Sequence, residues 1–231
     1  TMAWLDGRRI LEFVDAPLDD RNRIATAMFR AWWNPFARFG VIHGDPHLGN
    51  YTVFEEASRK GGVARPSGIN LLDFGCIRIF PPRFVAGVGD LYNGLRRKDD
   101  ALIVHAYETW GFRGLSRDLI DVLNIWARFI YGPPLDDRVR SIADGVKPSE
   151  YGRRQAFEVH RALKEKGPVR VPREFVFMDR AAIGLGAVFL HLAAELNFHR
   201  LFEEAIASFA VDEVTERQNA ALVQAGLGRP E

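Results

Sequence analysis

A single cysteine, Cys76, is all that this chain of 231 residues contains. No intrachain disulfide framework can support it, so the fold must rest on an apolar core, and Cys76 itself reads as a small buried hydrophobe in a reducing compartment. Charge of one sign is also missing. The 31 Lys and Arg stand against 30 Asp and Glu, a formal net charge of +1 at pH 7. A general nucleic-acid binder shows a basic excess or stripe, so no nucleic acid is expected as a partner. Long apolar runs are lacking as well. The most apolar stretch, Ala181 to Leu196, is interrupted by His191 and Glu195 and is shorter than the roughly 20 residues that cross a bilayer. Thr1 to Leu18 mixes charges with short apolar runs and does not read as a signal peptide. What is present, 47% hydrophobic and 26% charged residues, suffices for a substantial core in one domain or two closely packed halves.

Two stretches organise the chain. Val41 to Asn50, V-I-H-G-D-P-H-L-G-N, and Asn70 to Cys76, N-L-L-D-F-G-C, are each an apolar run that breaks into polar residues and glycine. Buried strands that deliver side chains to loops read this way. Taken singly, Asp45 or Asp73 is an ordinary turn residue, His43 a satisfied buried histidine that braces a loop, and Gly49 and Gly75 servants of backbone geometry. Taken together they fit phosphoryl transfer, where positioning and metal-assisted charge neutralisation carry most of the rate. A kinase-type site asks for an Asp that orients the acceptor, an Asn five residues later, and a second Asp on another strand. Asp45, Asn50 and Asp73 meet that spacing, with Asn50 and Asp73 as hard oxygen ligands for Mg2+.

At these residues the chain resembles the UbiB/ADCK-like atypical kinases, whose signature H-A-D-P-H-P-G-N is close to H-G-D-P-H-L-G-N here, with Gly44 and Leu48 in place of Ala and Pro. L-L-D-F-G resembles that family's metal-binding strand, Met2 to Gly7 resembles its M-E-W-I-D-G segment, and Arg173 to Asn197, with D-R-A-A-I-G-L, resembles its C-terminal helix. The resemblance implies Asp45 and His47 as catalytic residues, His47 standing where protein kinases carry a phosphate-facing Lys. It implies His43, Asn50, Asp73, Phe74 and Gly75 around the nucleotide, with ATP and Mg2+ as cofactors. It further implies a link to isoprenoid-lipid metabolism of the ubiquinone type, with an isoprenoid lipid or membrane surface as partner and a cytoplasmic or peripheral-membrane location. H-G-D is equally what aminoglycoside and choline kinases carry, so a small-molecule phosphotransferase is the alternative. A non-catalytic kinase-like regulatory module is a third reading.

The expected fold is mainly α with a small β-hairpin, a protein-kinase-like large lobe without the small lobe. Residues 1–200 would form that lobe and 201–231 a C-terminal helix and frayed tail. On this reading a partner protein or an N-terminal lobe completes the nucleotide site, the full-length protein is a phosphotransferase or ATPase, and this chain alone is inactive and binds Mg-ATP weakly. Along the chain, apolar spacing predicts a helix over Pro17 to Phe39, started by Asp15 and kinked or broken at Pro35. Tyr51–Glu55 and Ile69–Asp73 form antiparallel strands, with Glu55 to Gly68 a solvated loop. Helices follow from Pro81–Pro82 to Arg97, after Asp99 or Asp100, after Ser116, over Ser149 to Lys166, and as two long helices over Glu174–Arg200 and Phe202–Ala225.

Overall fold

The computed structural model describes residues 4–57, 63–144, 161 and 171–227. Its central element is α1, Leu18–Phe39, which buries Ile24, Ala25, Met28, Phe29, Trp32, Phe36 and Ala37. Asp19 and Asp20 lie in its first turn, where they complement the helix dipole. Pro17, rather than Asp15, occupies the cap position, and no side chain caps the helix. Pro35 neither ends nor divides it. The proline removes one ladder donor, but Trp32, Phe36 and Ala37 on either side are fully packed and hold the turn. Gly40, at φ 65°, then closes the helix in the left-handed conformation and releases the chain into a strand.

Short strands frame the loops of interest. β1 (Arg8–Arg9), β3 (Tyr51–Glu56) and β4 (Arg65–Leu71) form one antiparallel sheet in the order β1-β3-β4. β2 (Val41–His43) pairs antiparallel with β5 (Ile77–Ile79). The hairpin is therefore longer than expected. Within the segment read as a solvated loop, Glu55, Glu56 and Arg65 to Gly68 are strand, and Arg65 is tied to Asp19 and Asp20 of α1 and Ser67 to Glu56; residues 58–62 lie outside the described part.

Helices make up most of the remainder. α2 (Pro82–Arg97), α3 (Asp100–Thr109) and α4 (Arg117–Tyr131) start where proline or cap signals place them. Asp99 accepts from Leu102 N at 3.1 Å and Ser116 from Leu119 N at 3.2 Å. The helix expected over Ser149 to Lys166 lies outside the described residues, Arg161 excepted. The two long C-terminal helices are in fact three, α5 (Arg173–His191), α6 (Phe198–Ile206) and α7 (Val211–Gln224). The break after α5 has local causes. Arg21 of α1 donates to the carbonyls of Leu192 and Ala193, Asn22 accepts from Glu195 N, and Glu195–Leu196 (β7) pairs with Arg140–Ser141 (β6). Asn197 then caps α6.

One core joins these layers. Trp33 meets Phe202 edge-on, Phe202 packs on Tyr92 and Tyr131, and Phe36 leads through Phe80 and Phe84 to Trp110. Such aromatic contacts dominate buried area and favour offset or edge geometry. No helix of the described residues is long and apolar enough to cross a membrane.

Candidate functional site

The two motif loops lie side by side because backbone hydrogen bonds join them at both ends. Gly44 N donates to Cys76 O at 2.7 Å, extending the β2–β5 ladder by one rung. Leu72 N donates to Asn50 O at 2.9 Å, extending β3–β4 past the Tyr51–Leu71 pair. Asp45 and Asn50 therefore sit at the ends of one loop and Asp73 inside the other, at the same end of both sheets. Asp45 and Asp73 are exposed, whereas Asn50 is half-buried.

The local hydrogen bonds decide which oxygens remain available. Asn50 Nδ2 donates to Asp45 O at 3.0 Å and to Asp45 Oδ2 at 3.2 Å, which turns Asn50 Oδ1 away from the loop backbone. Asp73 Oδ1 accepts from Gly75 N at 2.7 Å, so Gly75 serves the turn, and Oδ2 is left over. One oxygen each from Asn50, Asp73 and Asp45 is thus without a partner among the described residues. Such a set suits Mg2+, which takes one or two protein oxygens and fills its octahedron with water and phosphate. The described residues contain no group of three or more His, Cys, Asp or Glu that would make an all-protein metal cage.

His43 is buried and fixed on both sides. Its Nε2 faces the backbone carbonyl of Asp73, and its Nδ1 faces the Tyr51 hydroxyl at 3.0 Å. A carbonyl can only accept, so the proton lies on Nε2. Burial, and next the negative charge of Asp45, push the Tyr51 phenol well up, so it keeps its proton and donates to Nδ1. The imidazole therefore positions the turn that carries Asp73, and its nitrogens are not free for a nucleotide. Phe74 is mostly exposed and meets the His43 ring edge-on. His47 Nδ1 accepts from Gly49 N at 3.1 Å, capping the 3-10 turn Leu48–Asn50 and leaving Nε2–H as its outer, exposed end. Cys76 is half-buried, not buried; it follows the exposed residues Leu72 to Gly75 of the Asp73 turn.

Residues 1–107 match the family model of the ABC1 atypical kinase-like domain. The match takes in both motif loops and agrees with the UbiB/ADCK-like resemblance carried by H-G-D-P-H-L-G-N and L-L-D-F-G. A mostly helical chain with small sheets is compatible with such a kinase-like domain. No curated protein matches the chain. The kinase-like match ends inside α3, yet later elements also build the site.

Three supports were not legible in the motifs. Gly184 of α5 lies against Pro46, where a Cβ would approach Pro46 Cγ to 2.6 Å. Arg78 of β5 stacks its guanidinium 4.6 Å over Phe177 of α5. Tyr51, the partner of His43, follows Asn50 directly, and strand alternation from its buried neighbour Val53 could have pointed it inward.

Proposed function

We propose that this chain carries the metal- and phosphate-holding site of an ATP-dependent atypical kinase or ATPase of UbiB/ADCK type. The observation that carries the proposal is the oxygen set left over by the local bonding: Asn50 turned outward by its two bonds to Asp45, and Asp73 with one oxygen spent on Gly75 and one remaining. Asn50 and Asp73 would hold Mg2+, whose bound form neutralises charge on the transferring phosphoryl group. Asp45 orients the acceptor hydroxyl or water and accepts its proton. His47, with its proton outward on Nε2, donates toward a phosphate oxygen. His43 positions Asp73 rather than touching the nucleotide. A role in isoprenoid-lipid metabolism rests on the family resemblance alone.

The test is Mn2+ binding in the presence of ATP, read by electron paramagnetic resonance on the native chain and on Asp73→Asn and Asp45→Asn. Asp73→Asn should lose the nucleotide-dependent bound-metal signal, while Asp45→Asn should largely keep it. Equal metal binding by native chain and Asp73→Asn would place the metal elsewhere and refute the assignment.

A further inference from the structure

A cavity lies away from the motif loops, on another side of α1. It encloses about 670 Å³ between α1, α2, α3 and the α6–α7 connection and shares no residue with the Asp45, Asn50 and Asp73 loops. That volume is in the range of sites for small organic ligands. One wall is apolar and aromatic, with Trp33 and Phe36 of α1 and Phe209 beyond α6. The α2 side mixes Val85, Ala86 and Val88 with polar groups that are ordered along the helix. Arg83 stands at one end, and Asp90 stands two turns on, roughly 10 Å away at 1.5 Å per residue.

Each end has a distinct chemistry. Arg83 is exposed and has no hydrogen-bond or ion-pair partner among the described residues, so its fork of donors is available to an anion. At the other end, Asp90 is half-buried beside His105 of α3, and burial raises its carboxyl pKa while the imidazole opposes that shift. A carboxylate in that position accepts a hydrogen bond from a ligand hydroxyl or amine. Beside Asp90 the lining includes Gly89, where an added Cβ would meet nothing within 4 Å. Glycine in the middle of a helix is unfavourable relative to alanine, and no neighbouring atom requires it here.

We propose that this cavity binds a small, planar, largely apolar monoanion that carries a hydrogen-bond donor at the end opposite its acidic group, the chemistry of an aryl carboxylate with a distal hydroxyl. The acid pairs with Arg83, the ring lies over Gly89 against Trp33 and Phe36, and the hydroxyl donates to Asp90. The site is independent of the phosphoryl-transfer reading, since it uses none of the same residues.

The experiment titrates the full chain with the fluorescent probe 6-hydroxy-2-naphthoate, and in parallel with 2-naphthoate, which lacks the hydroxyl, and 2-naphthol, which lacks the acid. Saturable binding of the two-ended probe is expected, at least about tenfold tighter than either one-ended analogue, as befits a charge-assisted hydrogen bond. Gly89→Leu should fill the cavity and weaken the probe at least about tenfold while melting at or above the native temperature. Arg83→Gln, at an exposed position, should weaken 6-hydroxy-2-naphthoate and leave 2-naphthol unchanged. Asp73→Asn should bind the probe as the native chain does, which separates this site from the nucleotide reading. No saturable binding up to millimolar probe, undiminished binding by a folded Gly89→Leu chain, or equal affinity for all three naphthalenes would each overturn the proposal.

Discussion

Gln218 is one of two buried polar side chains among the described residues, and replacing it by methionine gives a stability test that does not depend on any function. Its Nε2 donates to Phe39 O at 2.6 Å and to Phe80 O at 2.9 Å. Those carbonyls end α1 and β5, and Gly40 between them is itself packed against Phe80 O and Gln218 Nε2. Gln218→Met keeps the length and packing of the side chain but removes both donated hydrogen bonds, leaving the buried Phe80 carbonyl and the half-buried Phe39 carbonyl without that partner. An abandoned buried acceptor costs about 1–3 kcal/mol. Two of them, with some backbone relaxation, should cost about 2–4 kcal/mol in all. For a domain of this size each kcal/mol moves the melting temperature by about 2–4 °C, so a drop of about 4–16 °C is expected. Urea unfolding should show a lower midpoint at unchanged slope. A Gln218→Met chain within about 0.5 kcal/mol of native would refute the claim that this amide joins α7 to the two chain turns.

Three further outcomes follow from the bonding described. Asp73→Asn keeps an oxygen for Gly75 N, so its melting temperature should stay within about 2 °C of native, while any Mg-ATP turnover of the full-length protein falls by about 100-fold or more; a stable variant with native turnover would remove Asp73 from the metal site. Asp179, on α5, accepts from Trp126 Nε1 at 2.7 Å, and burial raises its pKa against that bond. The native state therefore holds the proton longer than the unfolded chain, and stability falls as pH rises from the ordinary aspartate range through the raised value. Asp179→Asn, which keeps an acceptor for Trp126, should be more stable than native at pH 7 and lose that advantage near pH 3; a constant difference between melting curves at the two pH values would contradict this. Gly184→Ala gains helix propensity but drives a Cβ to 2.6 Å from the rigid ring of Pro46. It should cost about 1–3 kcal/mol and, by moving the loop that carries Asp45, at least about tenfold in turnover; native melting and native turnover together would show that the loop yields freely.

Local signals were legible where one residue type settles the geometry. Asp99 and Ser116 could be read as caps, Pro81–Pro82 as a helix start, and the spacing of Ile24, Met28, Trp32 and Phe36 as a buried stripe, because each depends on neighbours within one turn. Pro35 misled for the same reason. Its propensity argues for a break, but the packing of Trp32, Phe36 and Ala37 is tertiary and outweighs it. The division of the C-terminal region was hidden too, since the side chains that bind the backbone beyond α5, Arg21 as donor and Asn22 as acceptor, lie about 170 positions earlier. At the site, the residue set could be read from spacing, but the bracing of His43 by Tyr51 needed the pairing of strands.

The same division explains how the loops keep their shape. Asp45, Asn50 and Asp73 are exposed or half-buried and contribute little to the core, so burial of their own side chains cannot fix them. Fixation comes from beneath and from the side. The β2–β5 ladder runs from the motif loops back to Phe80, whose N–H donates to Gly40 O and whose carbonyl is held by Gln218 of α7. Laterally, α5 lays Gly184 on Pro46 and Phe177 under Arg78. Both supports come from beyond residue 107, outside the part that matches the kinase-like model. Two short strands are marginal by themselves in water, and here their far end and outer face are bound into a helical core. The rigidity that the proposed phosphoryl-transfer site needs thus depends on helices that contribute no ligand to it.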